Sequence, residues 1–134
     1  MIFEIYSSLK LSQIAADFSR HYPYLKIEFY KKSHHWHEFT PIHTMVDHSL
    51  SVSDITSHTG NIEIEIHFWN KVGTIEQVFK NKAGINIQIF RKFKDSWIQT
   101  VGTDDLTLEE QNDIGRRDSE GFDFLKNIEM EKRI

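Results

Sequence analysis

Histidine is concentrated in one part of this 134-residue chain. Six of the eight histidines lie in the connection 33–61, namely His34, His35, His37, His43, His48 and His58. Imidazole is the commonest metal ligand in proteins, and residues two apart in an extended segment point to the same side. With oxygen ligands from Glu38 and Asp47, the histidines of this connection could bind Zn, Ni or Fe. The candidate metal ligands are His34, His35, His37 and His43.

The spacing of these histidines does not match the His-Glu-x-x-His pattern of helical zinc hydrolases. A polar loop with surface histidines accounts for the same residues without a metal. We therefore expect no cofactor, and keep the metal site as the alternative.

A second candidate group lies directly after this connection. Glu63, Glu65 and His67 alternate with apolar residues, so the three side chains share one face of a predicted strand. Neighbouring carboxylates raise one another's pKa, and a histidine beside them could complete an acid–base site. A solvated face or a dimer contact is the competing interpretation, and the one that we favour.

The composition excludes several classes of function. The chain contains no cysteine, which excludes disulfide scaffolds, cysteine-ligated metals and thiol catalysis. The net charge of −4 comes from residues 103–134, which carry a net −5, whereas residues 1–102 are close to neutral. Neither part has the basic excess that phosphate binding needs, so we expect no nucleic-acid partner. The chain shows neither a signal peptide nor an apolar run long enough to span a membrane, so we expect a cytoplasmic protein without membrane contact.

Two segments of the chain repeat one pattern of strand, helix and strand. In the first, alternating residues predict strands at 2–6 and 25–30, and a helical stripe of apolar residues covers 9–20. In the second, strands are predicted at 62–68 and 85–90, with a helix between them that ends at Gly84. Trp97 to Val101 then forms a fifth strand after a hairpin turn.

Two interleaved βαβ units form a ferredoxin-like βαββαβ sandwich, in which both helices cover one face of a four-stranded antiparallel sheet. We therefore predict an α+β fold of this type, with an added C-terminal strand and a short helix. A parallel α/β sheet is the alternative, but clean alternation favours a sheet with one open face. Ten residues should be buried in a common core: Ile14, Phe18, Ile27, Phe29, Ile64, Ile66, Ile75, Phe79, Ile87 and Ile89.

The length predicts a single domain over residues 1–134. Thr107 and Glu110 fit a capping box at the start of a short helix, which Gly115 should end. Beyond it, residues 116–134 are acidic with a weak helical pattern, typical of a frayed end.

No complete catalytic constellation is present. We therefore predict a small intracellular binding module that associates with itself or with a protein partner, and is not an enzyme. The predicted homodimer is held by an edge strand or by the open sheet face. Strand 25–30 is the candidate edge, because Lys26 and Glu28 are its only charged residues that could prevent pairing with another chain. The alternative is a metal-dependent or acid–base enzyme that uses the histidine-rich connection or the face of Glu65 and His67.

Overall fold

The computed structural model describes residues 1–31, 44–57 and 60–132, and of residues 122–132 it describes the backbone alone. In these residues the chain forms, in order, β1 (Ile2–Ile5), α1 (Leu11–His21), β2 (Leu25–Tyr30), α2 (Val52–Ile55), β3 (Ile62–Glu65), α3 (Val72–Ala83), β4 (Asn86–Phe93), β5 (Ser96–Gln99) and α4 (Leu108–Lys132). The mixed α+β class is confirmed. Among the described helices, none has both the length and the apolar character needed to cross a membrane.

The strands form two antiparallel sheets. In the first sheet β1 pairs with β3, and in the second the order is β2-β4-β5. Both pairings of the second sheet are antiparallel, so the parallel alternative is wrong. This strand order does not clearly match a ferredoxin-like sandwich, which would place all four strands in one sheet, so that finer topology is not confirmed.

One hydrophobic core lies between the helices and the two sheets. All ten residues predicted to be buried belong to it, and each is at most 2% exposed. In the first sheet Phe3 and Ile64 form an inward pair, while Glu4 and Glu63 form an outward pair. The predicted register of β3 is therefore confirmed.

The middle of β4 in the second sheet is buried on both faces, against the expectation of one open face. Ile87 and Ile89 of β4 face the core, and the intervening Gln88 and Phe90 are also buried. Their neighbour Tyr30 on β2 is only 2% exposed. The β1–β3 pair therefore has an open outward face, whereas in the second sheet the exposed side chains lie mainly on β5 and the end of β4.

The C-terminal helix is longer than predicted. Thr107 and Glu110 form the predicted capping box, with both reciprocal hydrogen bonds at 3.1 Å. The prediction that Gly115 ends this helix is wrong, because α4 continues to Lys132. Gly115 lies against the backbone of Tyr24, where a Cβ atom would come within 2.9 Å of the Tyr24 Cβ. This glycine therefore permits a close approach between α4 and the start of β2.

Candidate functional site

The predicted acid–base group lies on the solvated face of the β1–β3 pair. Glu63 and Glu65 point outward from β3, and His67 follows two residues later. His67 Nε2 lies 3.5 Å from Glu65 Oε1, so the structure brings these two side chains together. Both are widely exposed, and Glu63 faces Glu4 across the strands. Acid–base catalysis needs a positioned and partly desolvated group, and this open face does not enclose one.

The candidate metal ligands His34, His35, His37 and His43 lie outside the described residues, as does His58. Within residues 1–31, 44–57 and 60–132, no three His, Asp or Glu side chains converge in a way that could hold a metal ion. The metal site stays a prediction.

One histidine of the connection meets a carboxylate on β2. His48 Nε2 lies 2.9 Å from Glu28 Oε2, and the His48 ring packs edge-on against Phe29. Residues 44–46 bring the chain back to β2, because Val46 N–H donates to Phe29 O and Lys31 N–H donates to Thr44 O. The connection therefore pairs with the edge of β2 that faces away from β4, and then reaches His48.

Next to this pair lies a group of buried polar side chains that sequence reasoning missed. Glu76 of α3 is 7% exposed and accepts a 2.9 Å hydrogen bond from Ile89 N–H. Burial, reinforced by Asp104, raises the pKa of Glu76 to about 8. Burial and the charges of Glu28 and Glu76 also raise the pKa of Tyr30, whose hydroxyl has no hydrogen-bond partner in the part of the chain that is described.

A signal for Glu76 was present in the sequence. It lies four residues after Val72 and three before Phe79, within the apolar stripe of α3. A carboxylate at such a position becomes buried when the apolar stripe of the helix packs into the core. Buried carboxylates with shifted pKa values are frequent at functional sites.

Of the large apolar side chains that the structure describes, the most exposed are Phe68 and Trp69, 57% and 58% exposed, in the turn between β3 and α3. The His67 ring stacks on the Trp69 indole, with centroids 4.7 Å apart and planes 3° from parallel. The Asn70 side chain accepts from His67 N–H, and Asn70 N–H donates to His67 O. The first two residues of α4, Leu108 and Glu109, donate their N–H groups to the carbonyls of Asn70 and Phe68. We call residues 67–70 the aromatic turn; its backbone is fixed from two sides although its rings face solvent.

A second set of exposed apolar side chains lies on the β4–β5 hairpin. Trp97 and Ile98 are each 36% exposed and Phe93 is 39% exposed. β5 is the terminal strand of its sheet.

Comparison of the chain with protein-family models, with curated proteins and with solved structures finds no match in any of the three. Its function is therefore inferred from these side chains alone.

Proposed function

We propose that this chain is a cytoplasmic protein-interaction module that forms a homodimer through the outer edge of β5. The observation that carries the proposal is the composition of this terminal strand. Ser96–Gln99 contains no charged side chain, and its two large apolar residues, Trp97 and Ile98, are partly exposed.

Edge strands in monomeric proteins are usually protected against pairing with another chain. The protection comes from charged side chains, proline or a β-bulge. β5 has no proline, and its pairing with β4 runs without interruption from Phe93–Ser96 to Phe90–Gln99. The edge of β5 is therefore suited to antiparallel pairing with a second copy, which would extend the sheet across the dimer.

The edge of β2, which the sequence favoured, is less suited to this contact. Residues 44–46 already pair with the end of β2 through Phe29 and Lys31. The two charged side chains of this strand, Lys26 and Glu28, are also paired with each other within one chain. Lys26 Nζ lies 3.5 Å from Glu28 Oε1 and over the rings of Phe90 and Trp97.

Sedimentation equilibrium at micromolar concentration tests the proposal. We expect a dimer of the 15.9 kDa chain, and we expect Ile98→Lys to convert it to a monomer by placing two lysines at the shared edge. Asn81→Lys adds the same charge at an exposed position of α3 and should leave the dimer intact. A monomeric wild-type protein, or equal behaviour of the two variants, would reject the β5 contact.

An acid–base or metal-dependent enzyme is the second candidate, and the pair of His48 and Glu28 favours it. A carboxylate that binds one nitrogen of an imidazole sets the tautomer that the other nitrogen presents. The buried Tyr30 hydroxyl of β2 and the Glu76 carboxyl of α3 add two groups with raised pKa values.

Elemental analysis separates the two candidates with respect to metal. The untagged protein is incubated with Zn²⁺ or Ni²⁺, desalted and analysed, with His48→Asn as the comparison. About one metal ion per wild-type chain that is lost in the variant would favour the enzyme, whereas no retained metal leaves the interaction module as the better proposal.

Two further expectations belong to this proposal. The outward carboxylates Glu63 and Glu65 repel phosphate and support the absence of a nucleic-acid partner. The chain order of two βαβ units and the β1–β3 pairing support a ferredoxin-like topology, but that fold places β2 and β4 at opposite edges of one sheet, so the β2–β4 pairing weighs against it. An experimental structure would decide that point.

A further inference from the structure

The outward face of the β1–β3 pair carries unbalanced negative charge. Glu4 and Glu63 are direct cross-strand partners, and Glu65 lies on the same face one alternation further along β3. We call these three carboxylates the acidic face. Like charges directly opposite each other across two strands destabilise the sheet.

No cation in the described part of the chain forms an ion pair with Glu4 or Glu63. Among these residues, the repulsion between the two carboxylates is therefore uncompensated. A cation from another molecule would relieve it.

One end of the acidic face opens into a depression of about 310 Å³. Glu4 and Glu63 line it together with Tyr6, Asn61 and Ile62. Two carboxylates beside an aromatic ring match the two ways in which proteins bind a guanidinium or ammonium group, by charge-assisted hydrogen bonds and by contact with the ring face.

The other end of the acidic face continues into the aromatic turn. Glu65 lies beside His67, and His67 stacks on Trp69, which is still 58% exposed. Exposed tryptophan on a fixed backbone is typical of the residues that dominate binding energy at protein interfaces. The hydrogen bonds from Leu108 and Glu109 hold this turn in place.

We propose that the acidic face and the aromatic turn together bind a basic, extended segment of a partner protein. One Lys or Arg side chain occupies the depression between Glu4 and Glu63, and a second lies beside Glu65 and Trp69. Alternate residues of an extended chain are about 6.6–7 Å apart and point to one side, which is also the relation between Glu63 and Glu65 along β3. This surface is separate from the β5 edge proposed for the dimer.

Fluorescence anisotropy with a defined probe tests this proposal. The probe is a labelled octapeptide with arginine at alternate positions and serine between them, and its control has glutamine in place of arginine. We expect saturable one-to-one binding of the arginine peptide that weakens with added salt, and no binding of the glutamine peptide. Absence of saturable binding would overturn the proposal.

Matched variants separate a specific site from general attraction to an acidic protein. Glu4→Gln with Glu63→Gln should weaken binding of the arginine peptide about tenfold. Asp95→Asn with Asp105→Asn removes the same charge from exposed positions outside this face and should leave the affinity within about twofold. Equal weakening in both double variants would overturn the site.

Two measurements on the Glu4 and Glu63 double variant exclude misfolding and altered assembly as causes of weaker binding. The variant should be at least as resistant to thermal denaturation as wild type, because it loses a repulsion. Its sedimentation should also match wild type. A change of oligomeric state in this variant would mean that the face contacts a second copy of the chain, and would overturn the proposal of a basic partner.

Discussion

The carboxylate of Glu76 accepts a hydrogen bond from Ile89 N–H at the point where β5 no longer pairs with β4. On the same residue, the carbonyl of Ile89 accepts from the Thr100 hydroxyl at 2.8 Å. A side chain of α3 and the residue that follows β5, through both its hydroxyl and its N–H, thus satisfy the backbone of Ile89 just beyond the β4–β5 pairing.

The burial of Glu76 predicts a specific pH dependence of stability. Its pKa is raised from 4.5 to about 8, so between these pH values the folded protein holds a proton that the unfolded chain has lost. The free energy of unfolding should therefore fall as the pH rises from about 5 to 8.5, by at most roughly 4 kcal/mol. Urea denaturation at the two pH values measures this difference.

The variant Glu76→Gln should remove most of that pH dependence. Its amide oxygen can still accept from Ile89 N–H, but it carries no titrating group. Glu109→Gln, at an exposed position of α4, serves as the control and should keep the wild-type pH dependence. If Glu76→Gln lost as much stability as wild type between pH 5 and 8.5, the dependence would not come from this carboxyl group.

Two glycines of α4 should respond in opposite ways to alanine. In Gly115→Ala the new methyl group would lie 2.9 Å from Tyr24 Cβ and 3.1 Å from Tyr24 O, so the helix must shift. We expect a loss of about 1–3 kcal/mol in the free energy of unfolding. Gly121→Ala meets no atom of the described side chains or backbone within 4 Å and should gain about 0.5–1 kcal/mol from helix propensity. Equal effects of the two variants in chemical denaturation would contradict the close approach at Tyr24.

The core of the sheet predicts a large cost for emptying one aliphatic site. Ile87 is 2% exposed, and Ile87→Ala should lower the free energy of unfolding by about 2–5 kcal/mol. Glu63→Gln on the outward face should change it by less than about 1 kcal/mol, in the stabilising direction, because Glu4 lies opposite. Thermal denaturation of both variants checks the contrast, and a loss of more than about 1 kcal/mol in Glu63→Gln would place this carboxylate in a stabilising contact.

The capping box of α4 should have a measurable effect on stability. Thr107→Ala removes the hydroxyl that accepts from Glu110 N–H, at an expected cost of about 1 kcal/mol. Thr107→Ser keeps the hydroxyl and should retain most of the stability. If urea denaturation showed that the serine variant loses as much free energy of unfolding as the alanine variant, the loss would come from the threonine methyl group and not from the cap.

The alternation of residues predicted most of the local structure correctly. Ile64 and Glu63 differ by one position in the chain, and they lie on the inner and outer faces as the period of two requires. The same reasoning could not predict which strands pair. The sequence of β2 would alternate in the same way beside β3 or beside β4. Alternation shows which face of a strand is apolar, but it does not show which strand pairs with it.

Two errors have a common physical origin. Gly115 resembled a helix end because a missing Cβ allows a left-handed conformation, but it also allows the close approach that the structure has at Tyr24. Tyr30 alternates with Ile27 and Phe29 in the predicted strand 25–30 and so falls on the side of the sheet that was expected to be open, yet it is buried. In both cases the residue type fits two environments, and long-range packing decides between them.

The hydrogen bonds from Leu108 and Glu109 to the aromatic turn have a consequence for local unfolding. The first amides of an α-helix usually lack protein acceptors and exchange their hydrogens quickly, but these two donate to the carbonyls of Asn70 and Phe68. Opening of the turn therefore breaks both bonds, and hydrogen exchange of the two amides should give the same free energy of opening. Hydrogen exchange at the start of a helix nearly forty residues further along the chain would thus report on how firmly Trp69 is held.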